Sequence, residues 1–404
     1  MSPRVDGEVE SGHTLPGYLL TISWFPASPI GGVNQAIINL SRVMKERAEW
    51  RPFLLVDSDG HIPELHPHIP CPVESLYLRT PDLPQDRPLR ALTAFFMKLA
   101  SSLLRLRAFT RSHNIRAIAC HFPDTNSIHF CLLKRLGLYR GKLILSFHGE
   151  DIRSLDRKKA FIRSLGRWMM RNADAVVACS YGLRDDLVKF EPACAVRATV
   201  IYNAIDPQSF LNNIDRRFIL PAALNGKKFL LNVARYEHKK GHDILLRAFE
   251  RLASQFPELM LVTIGSAGDR TEAIRQMVEQ SPLRDRIFML QDLPHSQVGV
   301  FMDAAELFLL PSRREGFPFV LLEAGVMRKA VVATACIGVP EIIEDGVTGR
   351  VTPLEDDGAF AEAVSDLLSN EKERIKLAKN LHRRVLEEFS WQIVYQQHMK
   401  LVRG

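Results

Sequence analysis

Long apolar runs are absent from this 404-residue sequence: none approaches the roughly 18 residues that a membrane-spanning helix requires. The first 16 residues (MSPRVDGEVESGHTLP) are polar and hold no apolar signal core. The expectation is a flexible leader over 1–16 and a cytoplasmic protein. Cysteine is sparse. Cys71, Cys120, Cys131, Cys179, Cys194 and Cys336 are scattered with no C-x-x-C pair, which argues against a metal knuckle, a redox pair or a disulfide framework. Cys120 and Cys179 lie in apolar runs and read as reduced core residues. Proline and glycine, at 23 each, are too few for a low-complexity or collagen-like chain. Neither a G-x-G-x-x-G fingerprint nor a P-loop occurs, which weighs against dehydrogenase and NTPase readings. Charge is only mildly one-sided. Lys and Arg number 53 against 46 Asp and Glu, a net +7 that suits anionic partners without specifying one. No recognised motif accompanies the excess, so no nucleic-acid partner is expected.

What is present is a rhythm. Short β-branched apolar runs alternate with longer amphipathic stretches. The runs at 18–23, 53–56, 117–121, 142–147, 175–179 and 198–201 form one series. Those at 229–234, 260–265, 286–290, 307–310 and 331–334 form a second. Continuous apolar strands separated by helical patterns predict parallel sheets covered on both faces. The reading is therefore two doubly wound α/β domains. Their expected limits are 17–204 and 228–388, joined by a polar linker over 205–227 that two prolines interrupt. Ligands of such sheets bind beyond the carboxyl ends of the strands, so two such domains would share a ligand in a cleft.

Five features carry candidate chemistry. Gly31-Gly32 follows the first strand and precedes a helix, where backbone can approach an anion closely. Arg235 and Lys240 follow the first strand of the second half and suit a pyrophosphate, with Lys239 an alternative to Lys240. In PSRREGFPFVLLEAGV, Glu315 sits at a strand end and Glu323 one turn inside the helix that Pro318 opens. Carboxylates in that arrangement accept from vicinal hydroxyls, and the amides of 316–319 add donors. His148, followed by Gly149, ends a strand and faces the cleft, with Glu150 and Asp151 as weaker neighbours. Finally, 87–116 holds Arg87, Arg90, Lys98, Arg105, Arg107, Arg111 and Arg116 and no acid. Leu89, Leu92, Phe96, Leu99, Leu103 and Leu106 repeat there at helical spacing, a pattern that suits anionic lipid as well as an ordinary domain helix. Arg157–Arg171 is a second acid-free basic stretch.

These pieces resemble the retaining glycosyltransferases of family 4, group 1, which have the GT-B architecture of two Rossmann-like domains facing across a cleft. The residues that carry the resemblance run from Gly31-Gly32 to Phe389–Trp391, and above all through PSRREGFPFVLLEAGVMRKAVVATACIGVPEIIEDGVTGRVTP. That segment is similar to the family's E-x7-E block followed by G-x-x-E-x-I-x-x-G-x-x-G. ADAVVACSYGLRDDL, VIYNAID, NVARYEHKKGHDILLRAF and LMLVTIGSAGDR match as well. The chain departs from the family at Ile337-Gly338, where many relatives have Gly-Gly, and in the variant glycine loop GSAGDR.

The resemblance implies a nucleoside-diphosphate sugar as donor, held by Gly32, Arg235, Lys240, Glu315, Gly316, Phe317, Pro318, Phe319 and Glu323. His148, Glu315, Arg235 and Lys240 would act on the reacting sugar and its leaving diphosphate, with Glu323 on the ribose. It also implies that 389–404 crosses back onto the first domain. The acceptor would be a saccharide or a lipid-linked sugar of polysaccharide, lipopolysaccharide or glycolipid synthesis. No cofactor is expected, nor a metal, because no D-x-D stands in a plausible loop position. The basic stretches raise peripheral binding at the inner face of the cytoplasmic membrane as a further expectation. Alternatives are a nucleotide-sugar epimerase of the same architecture and a catalytically silent sugar-nucleotide-binding protein.

Overall fold

The computed structural model describes residues 15–22, 32–57, 69–78, 80 and 88–403. Gly31, Arg87 and most of the polar leader lie outside them, as do the side chains of 88–92. The strands are β1 (Gly17–Ile22), β2 (Arg51–Val56), β3 (Val73–Ser75), β4 (Ile115–His121), β5 (Lys142–Phe147), β6 (Ala175–Ala178) and β7 (Ala198–Val200) in the first half. In the second half they are β8 (Phe229–Val233), β9 (Met260–Gly265), β10 (Ile287–Gln291), β11 (Leu307–Leu310), β12 (Ala330–Thr334) and β13 (Arg350–Thr352).

They form two sheets in the orders β3-β2-β1-β4-β5-β6-β7 and β10-β9-β8-β11-β12-β13. Every pairing between these strands is parallel. The cause is visible in the residues. The central strands, such as Leu307–Leu310 and Ala330–Thr334, are buried at every position, so both faces need helices over them. The strand order reverses between β1 and β4 and between β8 and β11. Each reversal leaves a crevice at the carboxyl ends of the strands.

All eleven apolar runs are strands, and two further strands join the edges. Val73–Ser75 and Arg350–Thr352 are three residues long and only partly buried. They therefore lack the apolar run by which the others are recognised. The 205–227 segment holds the helix Pro207–Asn212, with Asp206 accepting from the Ser209 amide as its cap and proline in the first turn. Phe210 meets the His295 ring edge-on at 5.7 Å, and the Asp215 amide bonds to Ser296 O, so this segment packs on the second half.

The basic stretch 87–116 forms the helix Pro88–Ser112, and Arg116 falls in β4. Its buried face contains Phe95, Leu103 and Leu106, with Phe95 taking the place expected of Phe96. Phe96 is 60% exposed. The second basic stretch is divided between the helices Glu150–Arg157 and Ala160–Asn172.

The chain crosses between the halves twice, side by side. Ile205 donates its amide to Phe389 O, and Ile205 and Ser390 form an isolated parallel bridge. Beyond it the helix Trp391–Arg403 lies in the core of the first sheet. Trp391, Val394, Tyr395 and Met399 are buried with Tyr18, Leu20, Met44 and Trp50. Trp391→Ala should therefore cost about 3–5 kcal/mol of unfolding free energy. Urea titration measures it, and a loss below about 1 kcal/mol would deny the helix its place in that core.

Candidate active site

Between the sheets lies a cavity of about 370 Å³, within the size range of small-ligand sites. It opens at the β8/β11 reversal. Arg235 and Lys240 come from the turn after β8, and Glu315 to Phe319 from the loop after β11. Glu323 enters from the helix Phe319–Val326, and His148 enters from the first sheet at the end of β5. Every site residue expected from the sequence lines this cavity except Gly32. Gly32 begins the helix Gly32–Arg47, whose next residue, Val33, is in the lining.

Lys240 and Glu315 hold one another. The ammonium contacts both carboxylate oxygens, at 2.7 and 2.8 Å, and Ser312 Oγ donates to Oε1 at 2.7 Å. Gly241 makes the contact possible. Its φ is +68°, and a Cβ there would lie 1.9 Å from Pro311 O, so only glycine brings the lysine turn under the end of β11.

Arg235 does not close a second jaw. Its guanidinium stands at the rim, 60% exposed, and pairs with Glu237 at 3.0 Å. Lys239, the alternative cation, is committed elsewhere, to Glu237 at 2.9 Å and to Glu150 of the opposite half at 3.6 Å. Arg313 is also taken: Asp243 and Glu355 both hold it by paired contacts.

Glu323 pairs with His295 Nε2 at 3.0 Å. The carboxylate draws the His295 pKa above the usual histidine range, against the opposing effect of burial. At the start of this helix Pro318 brings no side-chain cap, so the first amides lack the acceptor a Ser or Asp would supply.

Asp151 turns out to be structural. Its carboxylate accepts the amides of His148, Gly149 and Ile152 at 2.7, 2.8 and 2.9 Å, which fixes the turn that carries His148. Burial raises its pKa to about 6 in spite of those donors. The enclosed ring of His148 goes the other way, down to about 4, so the imidazole is neutral at ordinary pH. The chain's one D-x-D is Asp57-Ser58-Asp59. Asp57 accepts from the Leu78 amide and from Asn126 Nδ2, both at 2.7 Å, and Asp59 lies outside the described residues.

The halves meet backbone to backbone. A Cβ on Gly316 would sit 2.1 Å from His148 O across the cleft, and within the second half one on Gly338 would sit 2.2 Å from Gly316 O. Gly149 and Gly338 have φ of +122° and +81°. Glu341, from the GVPEII segment, reaches across to accept the Tyr181 and Gly182 amides at 2.8 and 3.2 Å. It thereby caps a helix of the first half, a role its motif does not announce.

Sequence reasoning missed the four polar lining residues Asn203, Ser266, Asp292 and His295. Three of them, Ser266, Asp292 and His295, stand at or just beyond the carboxyl ends of β9 and β10, a rule that would have found them.

Residues 217–384 match the family described as "Glycosyl transferases group 1", and residues 30–209 match "Glycosyltransferase Family 4". The chain is 28% identical to the gpi3 subunit of phosphatidylinositol N-acetylglucosaminyltransferase of Schizosaccharomyces pombe, over 56% of this chain and 47% of that protein. It is 30% identical to alpha-maltose-1-phosphate synthase of Mycolicibacterium smegmatis, over 59% of this chain and 65% of the relative. The chain thus spans about half to two thirds of the length of these curated relatives. HepE of Anabaena, solved in complex with UDP and glucose, superimposes with a TM-score of 0.74 at 18% identity. That superposition covers 96% of this chain and 99% of HepE, and it shows a common fold.

The His295–Glu323 pair has a pH signature. Because the folded pKa of His295 is raised, the pair's contribution to stability is complete below the unfolded histidine value of about 6.5. It is lost as pH rises through the raised value. Glu323→Gln should bring the His295 NMR titration midpoint down and flatten this part of the stability profile. An unmoved midpoint would mean that the pair does not form in solution.

Proposed function

Since this chain belongs to the group 1 glycosyltransferases, we propose that it transfers a glycosyl unit from a nucleoside-diphosphate sugar to an acceptor hydroxyl, with retention at the anomeric carbon. The observation that carries the reading is the Lys240–Glu315 pair in a cavity at the β8/β11 reversal. It sets a cation for phosphate beside a carboxylate for sugar hydroxyls.

Bond breaking leaves negative charge on the diphosphate and positive character on the anomeric carbon. Lys240 stabilises the departing phosphate from within the cavity, and Arg235 joins it from the rim. Glu315 orients the sugar through its hydroxyls, together with the amides of Gly316, Phe317 and Phe319. Glu323 accepts from the ribose. His148, neutral, contacts the reacting face of the sugar, and Gly32 allows the first half to approach the phosphates. In this mechanism the protein's own cations carry the leaving charge, and no metal takes part. The acceptor attacks from the face the diphosphate leaves, within an ion-pair-like state, while the closed cleft excludes water.

UDP is the nucleotide in the HepE complex, and the S. pombe relative is named for a phospholipid, phosphatidylinositol. The acceptor proposed here is accordingly a saccharide or lipid-linked sugar of envelope polysaccharide or glycolipid synthesis. The helix Pro88–Ser112 is proposed to meet anionic lipid at the inner face of the membrane. Phe96, Met97 (82% exposed) and Leu104 (61%) stand out from it beside Lys98 and Arg105, an apolar-basic surface of the kind that seats on headgroups. Among the described residues no helix is long and apolar enough to cross a membrane.

Arg235→Ala should leave the fold intact and lower donor-dependent transfer roughly 10–100-fold, the worth of one charge-assisted contact. Lys240→Ala should lose more, because it also strands Glu315. Transfer assays over a panel of UDP-, GDP- and ADP-sugars measure both, and wild-type rates in either variant would refute the phosphate role. Exchanging Lys98 and Arg105 for Glu should release the protein from vesicles containing phosphatidylglycerol. Co-sedimentation tests this, and unchanged binding would remove the membrane surface.

A further inference from the structure

Among the described residues, the first half lends the cavity Val33, His148 and Asn203. They differ in what they can offer a ligand. Val33 has an apolar side chain. His148 has two ring nitrogens, and both are occupied or enclosed. Its Nε2 is 3.2 Å from Nδ1 of the buried His121, which ends β4 beside β5. Its Nδ1 is buried, with no hydrogen-bond partner among the described residues. His148 therefore meets a ligand with ring carbon. The polar side chain that the first half brings to this wall is Asn203, which the transfer described above does not use.

Asn203 is only 8% exposed. Its carboxamide makes no hydrogen bond among the described residues, yet neither its oxygen nor its nitrogen is sealed off as His148 Nδ1 is. It borders two spaces, the cavity and a void of about 20 Å³ behind it that His121, His148 and Trp391 also line. That void is of the size of a single water, so the space open to a ligand is the cavity. A carboxamide has two N–H donors and two acceptor lone pairs. Most of its hydration is already lost in the folded chain, so a group that docks on it gains a hydrogen bond at little further cost. Its position is fixed from both sides. Tyr202 before it stacks on Phe317 at 5.1 Å, which ties it to the loop that carries Glu315. Ile205 after it donates its amide to Phe389 O.

We propose that Asn203 is a sugar-binding residue: its carboxamide holds a hydroxyl of the transferred sugar from the first half, while Glu315 holds others from the second. The proposal rests on the donor-site reading above. In that reading Lys240 and Arg235 take the diphosphate and Glu323 the ribose, all from the second half. His148 faces the sugar, and Asn203 shares with it the partition between cavity and void. A neutral group that both donates and accepts also suits a hydroxyl, which does the same, better than a phosphate oxygen, which only accepts.

The test compares a nucleotide with its sugar conjugate by calorimetry on the full chain. The probes are UDP, GDP and ADP, set against UDP-glucose, GDP-mannose and ADP-glucose. Asn203→Leu keeps the volume and loses both polar atoms. It should leave nucleotide affinity within about twofold and lower conjugate affinity roughly 3–10-fold, the worth of one neutral hydrogen bond. Asn203→Ala should do the same, and it carries the test if the leucine variant does not fold. In the wild type labelled with ¹⁵N at asparagine, the Nδ2 signals of Asn203 should move further with the conjugate than with the nucleotide alone. Unchanged conjugate affinity in the variants overturns the proposal. So does an equal fall for nucleotide and conjugate, which would put Asn203 on the nucleotide or in the scaffold. Either result leaves the donor-site reading standing, because the wild type still binds the nucleotide. A wild type that binds none of UDP, GDP and ADP sinks that reading and the proposal with it.

Discussion

The site depends on one steric constraint, the contact of backbone with backbone where the two halves meet. His148 O of the first half faces Gly316 of the second, and Gly316 O packs in turn on Gly338 of its own half, at separations that leave no room for a Cβ. Each chemically useful side chain nearby is placed by its distance along the chain from this contact. His148 is the first half's contact residue. Glu315 precedes Gly316, and Phe317 follows it to stack on Tyr202 at 5.1 Å. Because no side chains intervene, residues from two separate sheets can share one small cavity. Glu341 on the Tyr181 and Gly182 amides and Lys239 on Glu150 flank the contact and link the same two halves by charge.

Within the cavity, the Lys240–Glu315 pair shows how a charged site stays satisfied when unliganded and still has capacity for a ligand. An ionised carboxylate offers about four acceptor positions. Lys240 and Ser312 use three of them, leaving one for a hydroxyl. The ammonium has three donors, and Glu315 does not need them all. Removing either partner would leave a largely enclosed charge unpaired, which costs more than the pair itself contributes.

Much of this architecture was legible in the sequence, because central parallel strands must be apolar on both faces and so appear as uninterrupted runs. The edge strands β3 and β13 were not legible, since an edge needs little burial. The linker helix left only a local sign, Asp206-Pro207, at a cap and first turn. In Pro88–Ser112 the apolar spacing found the helix but chose Phe96 over Phe95 for the core, because adjacent phenylalanines satisfy the same periodicity. In the site, spacing within one motif located Glu315 and Glu323, and strand-to-helix turns located Lys240 and His148. Arg235 was legible as a cleft residue but not as a rim residue, since exposure depends on neighbours such as Glu237. Pairings across the fold were beyond reach. His121 is 27 residues from His148, and Glu341 is 160 from Tyr181. Such contacts arise only when strand order and domain approach bring distant segments together.

The two crossings between the halves complete the argument. Ile205 and Phe389 run side by side, joined by one backbone hydrogen bond, and the Phe389 ring packs against Tyr202 and Phe317. A single crossing would let one half swivel about its own linker. Two adjacent crossings reduce that freedom to bending about a common line. The last helix then buries Trp391 and His398 in the first half, behind His121 and His148. Any rotation that opens the cavity must therefore act on the His148–Gly316 contact and bend both crossings together. In this way the far end of the chain, remote in sequence from every residue that lines the cavity, becomes part of the support for the imidazole that faces it.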